Sequence, residues 1–360
     1  MKKVLLFGLL LFIGINTCNA STDTASQYVL MDATTGRVIM GKNYNTPMLI
    51  ASITKIMTCL LAVESKRLDE VVVVDEVIND SYGSGIYIEV GEEITLRDLL
   101  YGLMLRSGND AALMVAKYIG GDVETFVNMM NNKAKSIGMS NTIFVNPSGL
   151  DNTDSGNYST SYDMALLTRY AMNYEDYREI VKTKSHTVKT NKKTYIWKNK
   201  NKLLSEDYIT GGKTGYTEKA RRTLVSTGSS NNMNFIVVTI KDSDDWSTHK
   251  DLYNYAFSNY VAYKVLNKNN FNIIGDTHYN GDFYINNNIY IPFKKNEVGN
   301  LIGKIELEKR NNYHDNDKVG DYKIYLDDKL LYKEPIYIDN VSKKGKSKSK
   351  GLLEWFKSLF

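Results

Sequence analysis

The sequence predicts an α+β unit followed by a small all-β unit. Two observations carry that division. Up to about residue 266, apolar residues recur at helical spacing in several long stretches, with short strand-like runs between them. From Phe271 to Ile338 the pattern changes to short runs rich in Ile, Tyr and Val, set between Gly, Asn and Asp turns. Asn267-Lys268-Asn269-Asn270 reads as the linker between the two. A chain of 360 residues is long enough for two such units.

The first segment is not part of the fold. Lys2 and Lys3 precede an apolar run from Val4 to Ile15, and Cys18-Asn19-Ala20 ends in a small residue. A charged start, a short apolar stretch and a small-residue site make a secretory signal over residues 1–20, with cleavage expected after Ala20. The first domain is then expected over 21–266. Residues 27–41 read as a hairpin that turns at Thr34-Thr35-Gly36. A helical pattern starts near Ser52 and continues through Ile53, Ile56, Met57, Leu60 and Leu61. Further helices are expected over Leu96–Met104, Asp110–Ile119, Asp122–Ile137 and Asp163–Tyr170, with a polar loop over 140–162. Two strand patterns, Arg222–Thr227 and Phe235–Ile240, follow a turn at Gly211–Gly215. A helix from about His249 to Leu266 closes the domain. The β-rich domain occupies 271–340.

Residues 341–360 form a basic linker and a short amphipathic segment. In the last ten residues Leu352, Trp355, Phe356, Leu359 and Phe360 share one helical face behind a lysine-rich stretch. That pattern suits a membrane surface, where each nearby lysine adds about 1 kcal/mol on anionic lipid. The alternative is a helix docked on the protein's own core.

Composition excludes several classes. The net charge of +4 is small and scattered, which argues against nucleic acid. Of the two cysteines, Cys18 lies in the export segment and Cys59 in an apolar helical pattern, so no internal disulfide is expected and Cys59 reads as a buried small hydrophobe. His186, His249, His278 and His314 are scattered, and none makes a metal-binding pair at i, i+3 or i, i+4. There is no G-x-S-x-G elbow and no phosphate loop. No cofactor and no metal are expected.

Three short motifs carry chemistry. In Ser52-Ile53-Thr54-Lys55 the serine and lysine share a helix face, so the amine can reach the hydroxyl. Serine is a weak nucleophile that needs a base, and lysine is a base only when burial or nearby positive charge keeps it neutral. In Ser107-Gly108-Asn109 a hydroxyl can relay a proton and an amide can hold a carbonyl or fix the lysine. In Lys213-Thr214-Gly215 a cation and a hydroxyl suit a carboxylate, and glycine lets a peptide backbone lie close. Each motif alone is weak; the ordered set is specific.

With Ala51–Thr58, Phe144–Leu150 and Gly212–Thr217, the set resembles the low-molecular-mass penicillin-binding proteins, the D-alanyl-D-alanine carboxypeptidases of peptidase family S11. The resemblance implies a transpeptidase-like catalytic domain, an antiparallel sheet flanked by helices with Ser52 on a central helix. It also implies residue roles. Ser52 would attack the D-Ala–D-Ala carbonyl, with Lys55 as its base, and Ser107 would pass a proton to the leaving D-alanine. Asn109 would bind the acyl amide, and Lys213 and Thr214 the terminal carboxylate. Gly215 would let the peptide lie close, and the N–H groups of Ser52 and Tyr216 would hold the oxyanion. The implied partners are peptidoglycan stem peptides and β-lactams.

The departures also carry information. Gly108 stands where class A β-lactamases carry Asp, and residues 140–180 hold no E-x-x-L-N segment. Glu175 and Glu179 read as solvated. Both departures favour a carboxypeptidase over a β-lactamase or esterase on the same scaffold, and three intact motifs argue against a non-catalytic receptor. Arg221 stands where many relatives have a small residue.

Overall fold

The structure, a computed structural model, describes residues 24–152 and 155–341. The expected export segment 1–20 and surface helix 351–360 lie outside the described residues. At the centre is a five-stranded antiparallel sheet in the order Val38–Lys42, Ala25–Asp32, Met233–Asp242, Arg221–Ser230, Ile209–Thr217. The expected hairpin supplies the first two strands.

Alternating side chains fill both faces of this sheet. Val29, Met31, Val225, Ile236 and Val238 enter a core shared with Ile53, Ile56 and Leu60. Tyr28, Leu30, Leu224, Phe235 and Val237 enter a second core with Leu252, Tyr253 and Ala256 of the helix Asp245–Asn259. The helix Lys55–Glu64 is buried at every residue but Glu64, which makes it the central helix of the domain. Cys59 is fully buried on it, and burial pushes its thiol pKa up.

Three local expectations are corrected. The Gly211–Gly215 segment is not a turn; it lies inside the edge strand Ile209–Thr217. Gly211 and Gly212 have φ of 159° and 150°, and a Cβ on Gly212 would run into the Val225 carbonyl, so these glycines allow tight strand packing. The last helix stops at Asn259, and Val261–Leu266 is a strand paired with Ile289–Phe293. Val261, Tyr263 and Val265 favour a strand once a partner edge is present, and apolar periodicity alone does not separate the two states. Ser52 lies in a 3-10 turn, Ala51–Thr54, and the α-helix begins at Lys55.

The β-rich part is a four-stranded antiparallel sheet in the order Asp282–Tyr284, Lys329–Asp339, Lys318–Leu326, Leu301–Leu307, over a core that includes Phe283, Ile291, Phe293, Ile324 and Ile336. Arg37 of the first hairpin ties it on, pairing with Glu297 at 2.8 Å and donating to the Pro292 carbonyl at 2.8 Å.

Under the central sheet His249 is fully buried, 2.7 Å from Ser226 Oγ and 3.2 Å from Thr239 Oγ1. Burial holds its pKa down at about 3. Below the unfolded value of about 6.5, the unfolded chain takes up a proton that the fold refuses. Stability from this residue is therefore lost as pH falls from 6.5 toward 3, by roughly 1.4 kcal/mol per pH unit. In urea unfolding across that window, His249→Gln is expected to show a shallower acid decline than the parent; parallel declines would contradict this.

Candidate active site

The Ser52 turn is clamped from above and below. Thr223 Oγ1, on a central strand, donates to the Ile50 carbonyl at 3.0 Å. The edge strand runs directly against the turn: a Cβ on Gly215 would lie 2.9 Å from Ser52 N and would overlap Thr223 Oγ1. Glycine is therefore required for the close approach. Ser52 itself is half-buried, and it opens onto the cleft.

Lys55 is completely buried. Its Nζ lies 3.1 Å from Ser52 Oγ, 2.7 Å from Asn109 Oδ1 and 2.5 Å from the Ser148 carbonyl oxygen. All three partners are neutral. Burial pushes the Lys55 pKa well below the usual lysine value; the nearby charges of Lys213 and Lys200 push the same way, and Asp110 opposes them. The Asp110 carboxylate is itself occupied, accepting from the backbone N–H groups of Ile86, Tyr87 and Ala111.

The second and third motifs converge on the same point. The helix Leu96–Tyr101 runs into a π turn, Gly102–Arg106, which ends at Ser107 with φ of 67°, an uncommon conformation for a serine and one that tends to cluster at functional sites. Asn109 starts the next helix; its Oδ1 faces Lys55 and its Nδ2 donates to the Tyr82 carbonyl at 2.6 Å. Lys213 is almost fully buried, with Nζ 3.1 Å from Ser107 Oγ and donating to the Thr214 carbonyl at 2.6 Å. Burial, then the charge of Lys200, lowers its pKa to about 7.

Ser52 stands where two clefts meet. One, of about 430 Å³, passes Ser107, Thr214 and Gly215. The other, of about 670 Å³, passes Asn109, Tyr82, Leu150 and Thr217. Tyr216 borders both and is exposed.

Comparison with known proteins agrees with this constellation. Residues 15–244 match the S11 peptidase family model, D-alanyl-D-alanine carboxypeptidase, and residues 276–344 match the C-terminal domain of penicillin-binding protein 5. The chain belongs to the S11 family. It is 34% identical over 255 residues to the D-alanyl-D-alanine carboxypeptidase DacF of Bacillus subtilis, covering 68% of this chain and 65% of that one. It is 31% identical to DacC of Escherichia coli, covering 67% and 62%. The match thus spans less than two thirds of either relative's length. Among solved structures, penicillin-binding protein 5 of Haemophilus influenzae superposes with a TM-score of 0.69 at 25% identity, covering 88% of this chain and 97% of that one.

Against this S11 frame, all eight sequence-predicted site residues lie together: Ser52, Lys55, Ser107, Asn109, Lys213, Thr214, Gly215 and Tyr216 line the cleft or hydrogen-bond to a residue that does. The structure also explains Gly108. A Cβ there would lie 2.8 Å from Asp110 Oδ1 and 3.0 Å from Ile86, so the neighbouring carboxylate leaves no space for an aspartate. Arg221 is exposed with φ of 60°, and Arg222 is the arginine that lines the cleft. Glu175 and Glu179 are exposed on the helix Glu175–Lys182.

Sequence reasoning missed Ser148, Tyr82, Ser84 and Lys200. The Phe144–Leu150 text was a signal for Ser148, but its contribution is a backbone carbonyl. That loop is held by two asparagines. Asn146 Oδ1 accepts from the N–H groups of Ser148 and Gly149, and Asn157 Nδ2 donates to Thr54 Oγ1 at 2.9 Å. Among the described residues, no helix is long and apolar enough to cross a membrane, and no cluster of three His, Cys, Asp or Glu could hold a metal.

Gly149 is the tightest point of this arrangement. Its φ is 83°, and a Cβ would collide with the Ala51 carbonyl and lie 2.8 Å from Thr54 Oγ1. Gly149→Ala is expected to destabilise the protein by about 1–3 kcal/mol, measured as a lowered urea midpoint. An unchanged midpoint would contradict the packing described.

Proposed function

We propose that the protein is a serine D-Ala-D-Ala carboxypeptidase that removes the terminal D-alanine from peptidoglycan pentapeptides. The observation that carries this reading is the position of Lys55 Nζ, fully buried among neutral partners and 3.1 Å from Ser52 Oγ. A neutral amine has two N–H groups and one lone pair. The N–H groups have acceptors in Asn109 Oδ1 and the Ser148 carbonyl, which leaves the lone pair for the Ser52 hydroxyl.

Ser52 Oγ attacks the carbonyl carbon of the D-Ala–D-Ala bond while its proton passes to Lys55. The oxyanion rests against the N–H groups of Ser52 and Tyr216, where Gly215 keeps the strand close to the turn. The C–N bond then breaks. The proton held by Lys55 reaches the leaving nitrogen through Ser107, and D-alanine departs. Lys213 and Thr214 hold its carboxylate, and the remaining N–H of Asn109 Nδ2 binds the acyl carbonyl. Water then attacks the ester with Lys55 again as base and frees the shortened peptide.

A β-lactam would acylate Ser52 by the same attack and leave slowly. Among the described carboxylates lining the clefts, Asp151 accepts from Thr217 Oγ1 at 2.8 Å, Asp245 pairs with Arg222, and Glu218 is exposed to solvent. The first two are already engaged.

Mass spectrometry after benzylpenicillin treatment is expected to map a stable adduct to Ser52, and Ser52→Ala is expected to form no adduct and to lose D-alanine release. D-alanine release by the variant would overturn the mechanism, and rapid penicillin turnover by the parent would favour a β-lactamase.

A further inference from the structure

Two adjoining cavities lie at the far end of the central sheet from Ser52. The larger, of about 460 Å³, runs past Ile137, Leu166, Tyr170 and Tyr332. The smaller, of about 240 Å³, runs past Thr210, Thr227 and Asn234. They share Ala33, Thr34, Arg169 and Asn173, and neither shares a residue with the two clefts that meet at Ser52. Along the edge strand, Thr210 stands about 17 Å before Gly215. Two arginines line these walls, Arg169 and Arg178, and no Asp or Glu does. Arg169, in the last turn of the helix Ser161–Ala171, donates to the Ala33 carbonyl at 2.8 Å and the Thr34 carbonyl at 2.7 Å. Arg178, on the helix Glu175–Lys182, donates to the Met172 carbonyl at 2.8 Å. Both are partly buried. The carboxylates nearest in the chain are occupied or exposed: Asp32 accepts from the N–H groups of Thr34 and Thr35, Asp176 pairs with Arg97, Glu179 pairs with Lys182, and Glu175 faces solvent. The carbonyl partners fix the guanidinium groups but carry no net charge, and they leave most of the five N–H donors of each unused. The helix end at Met172 sets only about half a negative charge against two positive ones. Thr210 Oγ1 and Thr227 Oγ1 lie 2.7 Å apart; their mutual bond uses one O–H and leaves the other to donate.

We propose that Arg169 and Arg178 form a binding site, separate from the Ser52 cleft, for a small organic oxyanion: a carboxylate or phosphate with a carbon body behind it. A guanidinium held in place by carbonyls offers paired N–H donors in the spacing that carboxylate and phosphate oxygens accept. The anionic head sits at Arg169, where the two cavities join, with Arg178 and the threonine pair on the wall of the smaller one. The carbon body extends into the larger cavity against Leu166, Tyr170 and Tyr332. A bare inorganic ion would leave most of that volume empty. Tyr332 belongs to the strand Lys329–Asp339 of the β-rich part, so an occupant touches both parts of the chain. Binding is non-covalent and does not depend on the acyl-transfer reading.

The test is an NMR titration of the amide-labelled full chain with inorganic phosphate, phenyl phosphate and benzoate in turn. Saturable shifts are expected at Thr34, Asn173 and Gly228. Phenyl phosphate or benzoate is expected to bind about tenfold more tightly than inorganic phosphate, the gain from burying an aromatic ring. Whichever of the two binds better tells phosphate from carboxylate as the preferred head. Arg178→Gln is expected to weaken binding about tenfold, the size of one charge-assisted hydrogen bond. Because Arg178 also holds a carbonyl, Asn173→Asp is the second variant. Asn173 is exposed and borders both cavities, so this change keeps both arginines and sets a carboxylate beside them. Binding is expected to be lost in it. The site would be overturned by no saturable shift with any of the three probes, by shifts confined to the Ser52 cleft, by inorganic phosphate binding as tightly as the organic anions, or by binding that both variants retain.

Discussion

An unpaired amine in the interior is the constraint around which this structure is arranged. Transferring a lone ammonium from water to a protein interior costs several kcal/mol even after relaxation. Lys55 has no carboxylate as a hydrogen-bond partner there; it has a hydroxyl, an amide oxygen and a backbone carbonyl. The neutral form escapes that cost, and the charge of Lys213 adds to the same preference. Asp110 is the group that could reverse it, and three backbone N–H groups hold its carboxylate.

The packing of distant segments follows from this. The amine has to be reached from three directions, and each direction has its own support. Asn109 arrives on the helix after the strained Ser107, with its free end tied to Tyr82. The Ser148 carbonyl arrives on a loop that Asn146 and Asn157 fasten to the Ser52 turn. The edge strand brings Lys213 and closes on the turn through Gly215. The two glycine contacts, at 149 and 215, set how near these pieces come. The central sheet is the rigid body from which all are measured, and apolar burial on both of its faces supplies that rigidity.

Much of this was legible in the sequence because it was written in side chains at fixed spacing. Ser52 and Lys55 are one turn apart, and Ser107, Asn109 and Lys213 belong to motifs whose order has chemical meaning. What stayed hidden was written otherwise. Ser148 acts through its carbonyl, which every residue possesses. Lys200 reaches the cleft only because the hairpin of Ser185–Lys189 and Thr194–Lys198 delivers it there, a contact with no local signature. Arg221 and Arg222 are adjacent, and strand register decided which of them faces the cleft. The glycines at 211–215 looked like a turn because glycine marks turns more often than tight strand packing. Val261–Leu266 continued an apolar pattern, and its pairing partner lies more than twenty residues further along the chain.

The central claim is that burial among neutral partners makes Lys55 give up its proton well below the ordinary lysine value in the resting protein. The direct measurement is an NMR titration of the protein labelled at the lysine side chains, with Lys55 assigned by its loss in Lys55→Met. The account predicts that the Lys55 resonance titrates far below the lysines of the surface, and that removing the Lys213 charge moves its midpoint upward. A Lys55 that stays protonated until it titrates with the surface lysines, near 10.5, would contradict it.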